Sequence, residues 1–326
     1  MSEATPQPVV FEELVERHRA ELHAHCYRML GSPHDADDAL QDALLRAWRA
    51  IDGLRDARRA RAWLYRIATN ACLDQAEGRR RRVLPMDLAA AGDAPLPGST
   101  WIEPYPDDPA LAALPQPPEA RYEQREALEL AFVAALQHLP GRQRAILILR
   151  DVLGFSAREA AEAVDATEAA VNSALQRARA TIERRAPAES QQLTLRRIGD
   201  RGVRELTRRF VEAFECGDVE GVVALLTDDV LFAMPPYPQW SEGREAVSRS
   251  WLMPGEPEAG RLRYLATTAN GQPAFGVYVR DAAGRRYRAL ALDVLSLSAD
   301  GRISAVVAFR GAELFPLFDL PDELPA

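Results

Sequence analysis

At 326 residues, with 47% hydrophobic and 27% charged side chains, the chain is expected to fold as two or three soluble domains rather than as a fibrous or disordered protein. No apolar run approaches the roughly 20 residues that span a bilayer, and the opening MSEATPQPVVFEEL lacks the basic start and apolar stretch of a secretory signal, so a cytoplasmic protein with no membrane attachment is expected. All 40 basic side chains are arginine, which excludes P-loop lysine and Schiff-base chemistry, and the net charge of −8 argues against nucleic acid until its distribution is seen: residues 83–140 hold two arginines against nine acids, residues 141–185 eight against six.

Residues 9–82 read as helices, with Phe11, Leu14, Val15, Leu22, Tyr27 and Leu30 recurring near 3.6. Gly31-Ser32-Pro33 breaks the run, Ser32 suits an N-cap and Pro33 the first helical position, and Leu40, Leu44, Trp48 and Ile51 follow along one face. A further helix from about Arg59 should turn Trp63, Ile67 and Ala71 inward before the run Arg79 to Arg82. Residues 83–119, rich in proline, alanine and acid without a period, read as a linker. Helical patterning returns over 120–186, broken at Leu139-Pro140-Gly141 and Leu153-Gly154-Phe155. The remainder, 201–320, changes class. Residues 201–226 read as one or two helices, 229–234 as a strand and 243–251 as a short helix. Strands at 262–269, 274–279, 287–296 and 303–309 follow, separated by Asn270-Gly271, Ala283-Gly284 and Asp300-Gly301 turns: an α+β cone after two all-α domains. Cys26, Cys72 and Cys216 are scattered and odd in number, so buried free thiols are expected, with no disulfide, metal or cofactor.

Three segments carry chemistry. In SAREAAEAVDATEAAVNSALQRARATI, Ser156 and Glu159 form a capping box and Thr167 can cap a second helix. Val171, Leu175, Ala178 and Ile182 then face inward, and Thr167, Glu168, Asn172, Gln176 and Arg177 outward. A helix-turn-helix of this kind presents Asn, Gln and Arg to a major groove, where a plain helical hairpin would merely solvate them. In DADDALQDALLRAW the acidic and Gln positions fall on the solvent face, where they could meet a basic partner or simply oppose the helix dipole. In ARAWLYRIATN, followed by Asp74 and Arg79 to Arg82, aromatics beside arginines can hold an unstacked strand, although Trp63 and Ile67 also suit a core.

In that order and spacing the three segments resemble sigma-70 family factors of the extracytoplasmic function group, over about residues 9–185. The resemblance implies that 9–82 is region two, that 120–186 is region four, and that the acidic linker threads the polymerase channel near the RNA exit path. It implies that Asp38, Gln41, Asp42 and Arg46 meet the clamp of core RNA polymerase, formed by its beta and beta-prime subunits. Trp63, Arg66, Asn70, Arg79, Arg80, Arg81 and Arg82 would serve the promoter minus-ten element, and Thr167, Asn172, Ser173, Gln176 and Arg177 the minus-thirty-five groove. The stretch FVEAFECGDVEGVVALLTDDVLFAMPP, with Trp240, Gly243 and Trp251, resembles the SnoaL-like domain fused to one branch of these factors and shared with cyclases and ketosteroid isomerases. Proton transfer at carbon needs a placed carboxylate or histidine. All five histidines precede this domain, and Asp228, Asp229 and Asp293 suit turns and a strand end, so a regulatory domain rather than an enzyme is expected. Met234, Trp240, Trp251, Tyr264 and Phe309 could line an apolar small-molecule pocket or form the core itself. The rival readings are a cyclase or isomerase tethered to a DNA-binding module, and a ligand-responsive repressor.

Overall fold

Helix-forming and strand-forming stretches segregate in the computed structural model, which describes residues 11–54, 56–88, 94–113, 123–251 and 261–325. Two units result, one from residues 1–82 and 108–188, the other from 83–107 and 189–326.

In the first unit α1 (Phe11–Leu30) buries Leu14, Leu22, Tyr27 and Leu30. Ser32 caps α2 (Pro33–Ala50), its hydroxyl accepting from the Asp35 amide at 3.2 Å, with Pro33 in the first turn. The buried stripe of α2 is Ala36, Ala39, Leu40, Ala43 and Ala47. This corrects the expected face: Trp48 is 61% exposed, and Leu44 and Ile51 are half-buried. Alanines let the neighbouring helices approach closely, and the large side chains rotate outward. In α3 (Ala60–Ala76) the same correction holds for Trp63 and Ile67, which are half-buried, while Leu64, Tyr65, Ala68, Ala71 and Cys72 form the buried side. After the single turn α4 (Pro109–Ala112), α5 (Leu130–Gln137) leads to α6 (Gly141–Leu147), which runs into a π-helical turn at Ile148–Val152. Then α7 (Ala157–Ala163) and α8 (Glu168–Arg185) form a helix-turn-helix.

Two buried arginines join these helices. Arg28 on α1 donates to the carbonyls of Gln124 at 3.0 Å and Ala127 at 3.3 Å. Arg144 on α6 donates to Leu136, Gln137 and Leu139 at 2.9, 3.3 and 3.1 Å and also to Met29 at the end of α1. Carbonyls at helix ends carry partial negative charge and so hold a guanidinium without a carboxylate. Burial nonetheless pulls the Arg144 pKa down to about 10.

His25 lies beneath them, wholly buried, with Nε2 2.9 Å from Thr69 Oγ1. Burial, then the nearby Arg28 charge, pushes its pKa down to about 3, against about 6.5 in an unfolded chain. Its contribution to stability is therefore fully present above pH 6.5 and is lost as pH falls toward 3, at about 1.4 kcal/mol per pH unit. Urea titrations between pH 6.5 and 4.5 should show a steeper fall in stability for the natural chain than for His25→Asn. Parallel slopes would show that His25 does not carry the acid sensitivity.

The second unit starts with α9 (Gln191–Cys216), capped by Ser190 and bent at Gly199, whose φ of 72° no helix accommodates. The segment before this bend was not anticipated. Next come α10 (Val219–Ala224), β1 (Leu226–Ala233), β2 (Trp240–Glu242) and α11 (Arg244–Trp251). The main sheet is completed by β3 (Leu262–Ala269), β4 (Gln272–Arg280), β5 (Arg286–Leu297) and β6 (Ile303–Arg310). Strand order is β2-β1-β6-β5-β4-β3, with β7 (Glu323–Pro325) on β5, and only β1 with β6 is parallel. Phe210 of α9 packs with Leu226, Val230, Phe275, Leu295 and Val306 to close the core. Cys26 and Cys72 are buried, whereas Cys216, the last residue of α9, is exposed, against expectation.

The described residues between 83 and 107 are not a loose tether. Val83, Leu84, Trp101, Ile102 and Tyr105 are buried, and Val83 and Trp101 form a bridge. The Tyr105 amide donates to Asn270 Oδ1 at 2.9 Å, the Asn270 amide to the Tyr105 carbonyl at 2.8 Å, and the Gly271 amide to Asp107 Oδ1 at 2.8 Å. Asn270 and Gly271, with φ of 57° and 69°, form the β3–β4 turn, a left-handed backbone that aims its amides at the segment. Of the expected linker, 89–93 and 114–119 lie outside the described residues.

Candidate polymerase and nucleic-acid interface

On α2, Asp38 and Gln41 are exposed, and Asp42 sits one turn beyond Asp38. Arg46 bonds Asp42 at 2.6 Å and Asp74 on α3 at 2.7 Å, so this carboxylate face is fixed to the next helix. Beside it, Phe11, Leu44, Leu45 and Trp48, with Arg19 and Asp37, line a cleft of about 440 Å³. Leu45 is 48% exposed. Sequence reasoning missed this apolar element because its large residues looked like a core stripe.

On α3, Trp63 and Arg66 line a second cleft, of about 320 Å³, with Arg59 and the α7 residues Glu159 and Glu162. Asn70 is exposed one turn further on. The arginine run is largely engaged within the chain. Arg79 and Arg82 both bond Asp35, at 3.1 and 2.7 Å, and Arg81 lies 2.8 Å from His138 Nδ1, while Arg80 is exposed.

The helix-turn-helix is set by local capping. Glu159 accepts from the Ser156 amide at 2.8 Å while its own amide donates to Ser156 Oγ, and Thr167 caps α8 through the Ala170 amide at 3.2 Å. Val171, Leu175 and Ala178 are buried; Thr167, Asn172, Ser173, Gln176 and Arg177 are exposed on α8. Arg179, also exposed, instead bonds Asp151 at 2.6 Å.

The residues considered for a C-terminal pocket are spread through the fold. Tyr264 packs with Phe210, Phe214 and Phe275, Phe309 is buried on β6, and Met234 Sδ accepts from Arg310 at 3.4 Å. Trp240 is exposed on β2, at the opposite end of the strand order from Tyr264 on β3, and the Trp251 side chain lies outside the described residues. Asp228 and Asp229 are exposed, with Asp228 3.1 Å from Arg244, and Asp293 is buried on β5 between Phe275 and Ala308. Among the described residues no group of three metal-binding side chains occurs, and no helix is long and apolar enough to cross a membrane.

Family models match at sigma-70 region 2 over residues 14–82, sigma-70 region 4 over 129–182 and a SnoaL-like domain over 207–306. The ECF RNA polymerase sigma factor SigG of Mycobacterium tuberculosis is 42% identical over 323 residues, 96% of this chain and 85% of the relative. The chain belongs to the ECF RNA polymerase sigma factors. This sigma factor acts with core RNA polymerase and promoter DNA to direct transcription initiation. SigM of Mycobacterium tuberculosis is 33% identical over 174 residues, 53% of this chain and 76% of the relative. The crystal structure of the Mycobacterium tuberculosis sigma factor SigJ covers 95% of this sigma factor and 99% of that chain, with a TM-score of 0.62 and 23% identity, and shows the shared fold: helical sigma domains followed by a SnoaL-like sheet domain.

Proposed function

We propose that the SnoaL-like domain of this sigma factor restrains initiation by holding the segment that connects regions two and four. The observation that carries the reading is the reciprocal pair of hydrogen bonds between Tyr105 and Asn270, which ties the connector to the β3–β4 turn. A connector bound in this way is withheld from the path along the polymerase channel. Within the assigned regions, Asp38, Gln41, Asp42 and Arg46 face the polymerase, with Leu45 and Trp48 as an apolar anchor beside them. Trp63, Arg66, Asn70 and Arg80 serve the minus-ten strand, and Thr167, Asn172, Ser173, Gln176 and Arg177 the minus-thirty-five groove, where one base or phosphate contact is worth about 1 to 3 kcal/mol. The SnoaL-like domain acts by binding rather than by proton transfer: it holds no histidine, Asp228 and Asp229 are solvated, and Tyr264 and Phe309 are spent on packing.

The test is run-off transcription with core polymerase. Deleting the domain is a blunt instrument, because it would strand Trp101, Ile102 and Tyr105 in water. Asn270→Gly keeps the left-handed turn, which glycine adopts freely, and removes the acceptor for the Tyr105 amide. Its output should rise above that of the natural chain. Equal output from the two proteins overturns the restraint.

A further inference from the structure

The β3–β4 turn that grips the connector is also the chain's only Asn-Gly step. Asn70 precedes alanine and Asn172 serine, both within helices, whereas Asn270 precedes Gly271. Such a step loses side-chain ammonia more readily than others, because glycine has no Cβ to keep its nitrogen from the preceding side chain. Both residues are there for reasons of fit. Asn270 takes a left-handed φ of 57° and offers Oδ1 to the Tyr105 amide at 2.9 Å. A Cβ on Gly271 would stand 2.7 Å from Gln192 Nε2, which donates to the Gly271 carbonyl at 2.8 Å. Held in this way the step is guarded. Asn270 is wholly buried from water, and the Gly271 amide is spent on Asp107 at 2.8 Å, whose negative charge opposes loss of the amide proton.

We propose that Asn270 is a modification site, which spontaneous deamidation reaches only once the connector has left the turn, so that release becomes one-way. The Gly271 nitrogen gives up its proton to solvent and attacks Asn270 Cγ. The Cγ–Nδ2 bond breaks, and ammonia leaves with a proton from solvent. Water then opens the five-membered imide at either carbonyl, leaving aspartate or its β-linked isomer. The net change turns one amide and one water into one carboxylate and one ammonium, with no oxidant or reductant. The isomer carries an extra main-chain carbon, which moves the Gly271 amide off Asp107. Either product adds a carboxylate next to the amide that Asp107 occupies, and the two like charges repel. The chemistry stands apart from transcription, while its effect on output rests on the restraint proposed above.

The experiment ages the full chain in mildly alkaline buffer and follows Asn270 by mass spectrometry of the peptide that trypsin releases between Arg263 and Arg280. The folded chain should deamidate there at least about tenfold more slowly than the same chain unfolded in guanidinium chloride. Asp107→Ala, a change at an exposed position, should recover most of that difference. Ion exchange separates the modified fraction by its added negative charge. In that fraction the Tyr105 amide should exchange its hydrogen about tenfold faster than in the unmodified fraction of the same sample. Equal rates in the folded and unfolded chain, an unchanged rate in Asp107→Ala, or equal exchange in the two fractions each overturns the site. Run-off transcription with the two fractions tests the restraint separately: equal output beside unequal exchange sinks the restraint and leaves the modification standing.

Discussion

Asp38→Arg combined with Asp42→Arg should abolish co-purification of the sigma factor with core RNA polymerase. Both positions lie on the outer face of α2 one turn apart, and neither contributes to the stripe Ala36, Ala39, Leu40, Ala43 and Ala47 that holds the helix in place. Arg46 loses Asp42 but retains Asp74, so the tie between α2 and α3 survives. Two reversals move the local charge from −2 to +2 opposite a basic partner, and like charges brought together at an interface cost several kcal/mol. Affinity should fall beyond detection in a pulldown while the circular dichroism melt shifts by only a few degrees. Retention on the polymerase with an unchanged melt would show that this face is not the contact.

What the sequence disclosed and what it concealed divide by range. Ser32, Ser156 and Thr167 announced their helices because a cap acts over three residues, and the outward set of α8 followed once the caps fixed its start. Strands β3 to β6 were legible because their turns carry Asn-Gly, Ala-Gly and Asp-Gly steps. Trp48 was misplaced because size suggests burial, whereas α2 buries alanines to let its neighbours close in. The connector gave no period, because its buried residues pair irregularly: Trp101 and Ile102 meet Val83, and Tyr105 meets Asn270, 165 residues away. Arg79 and Arg82 read as phosphate ligands, and nothing in the sequence signalled that both also bond Asp35, a partner more than 40 residues earlier. The segment Gln191–Ile198 was hidden by Gly199, which breaks the helical run.

Arg144→Met should destabilise the helical unit by about 3 to 5 kcal/mol, a large share of the 5 to 15 kcal/mol that holds a typical domain. Methionine fills much of the volume but donates nothing, so the carbonyls of Met29, Leu136, Gln137 and Leu139 lose their common donor inside the fold. Arg144→Lys should fall between the two, since an ammonium cannot span four acceptors laid out for a planar fork. Urea denaturation monitored by far-ultraviolet circular dichroism gives the measurement. A loss below 1 kcal/mol for Arg144→Met would show that the guanidinium is incidental.

The same fastening decides how the helical unit behaves in water when α1 and α6 move apart. A seam of leucines would leave two oily faces that stick to one another or to neighbouring molecules. Here the parted surfaces also carry the Arg28 guanidinium and the Met29 carbonyl on α1 and the Arg144 guanidinium on α6, beside the Gln124 and Ala127 carbonyls that Arg28 holds on the segment before α5. Each of these groups is readily wetted. The open form, which also uncovers Leu22 and Leu30 of α1 and Ile146 and Leu147 of α6, should accordingly aggregate less than the same seam without its guanidiniums, a difference that light scattering of the natural chain beside Arg144→Met in low urea measures.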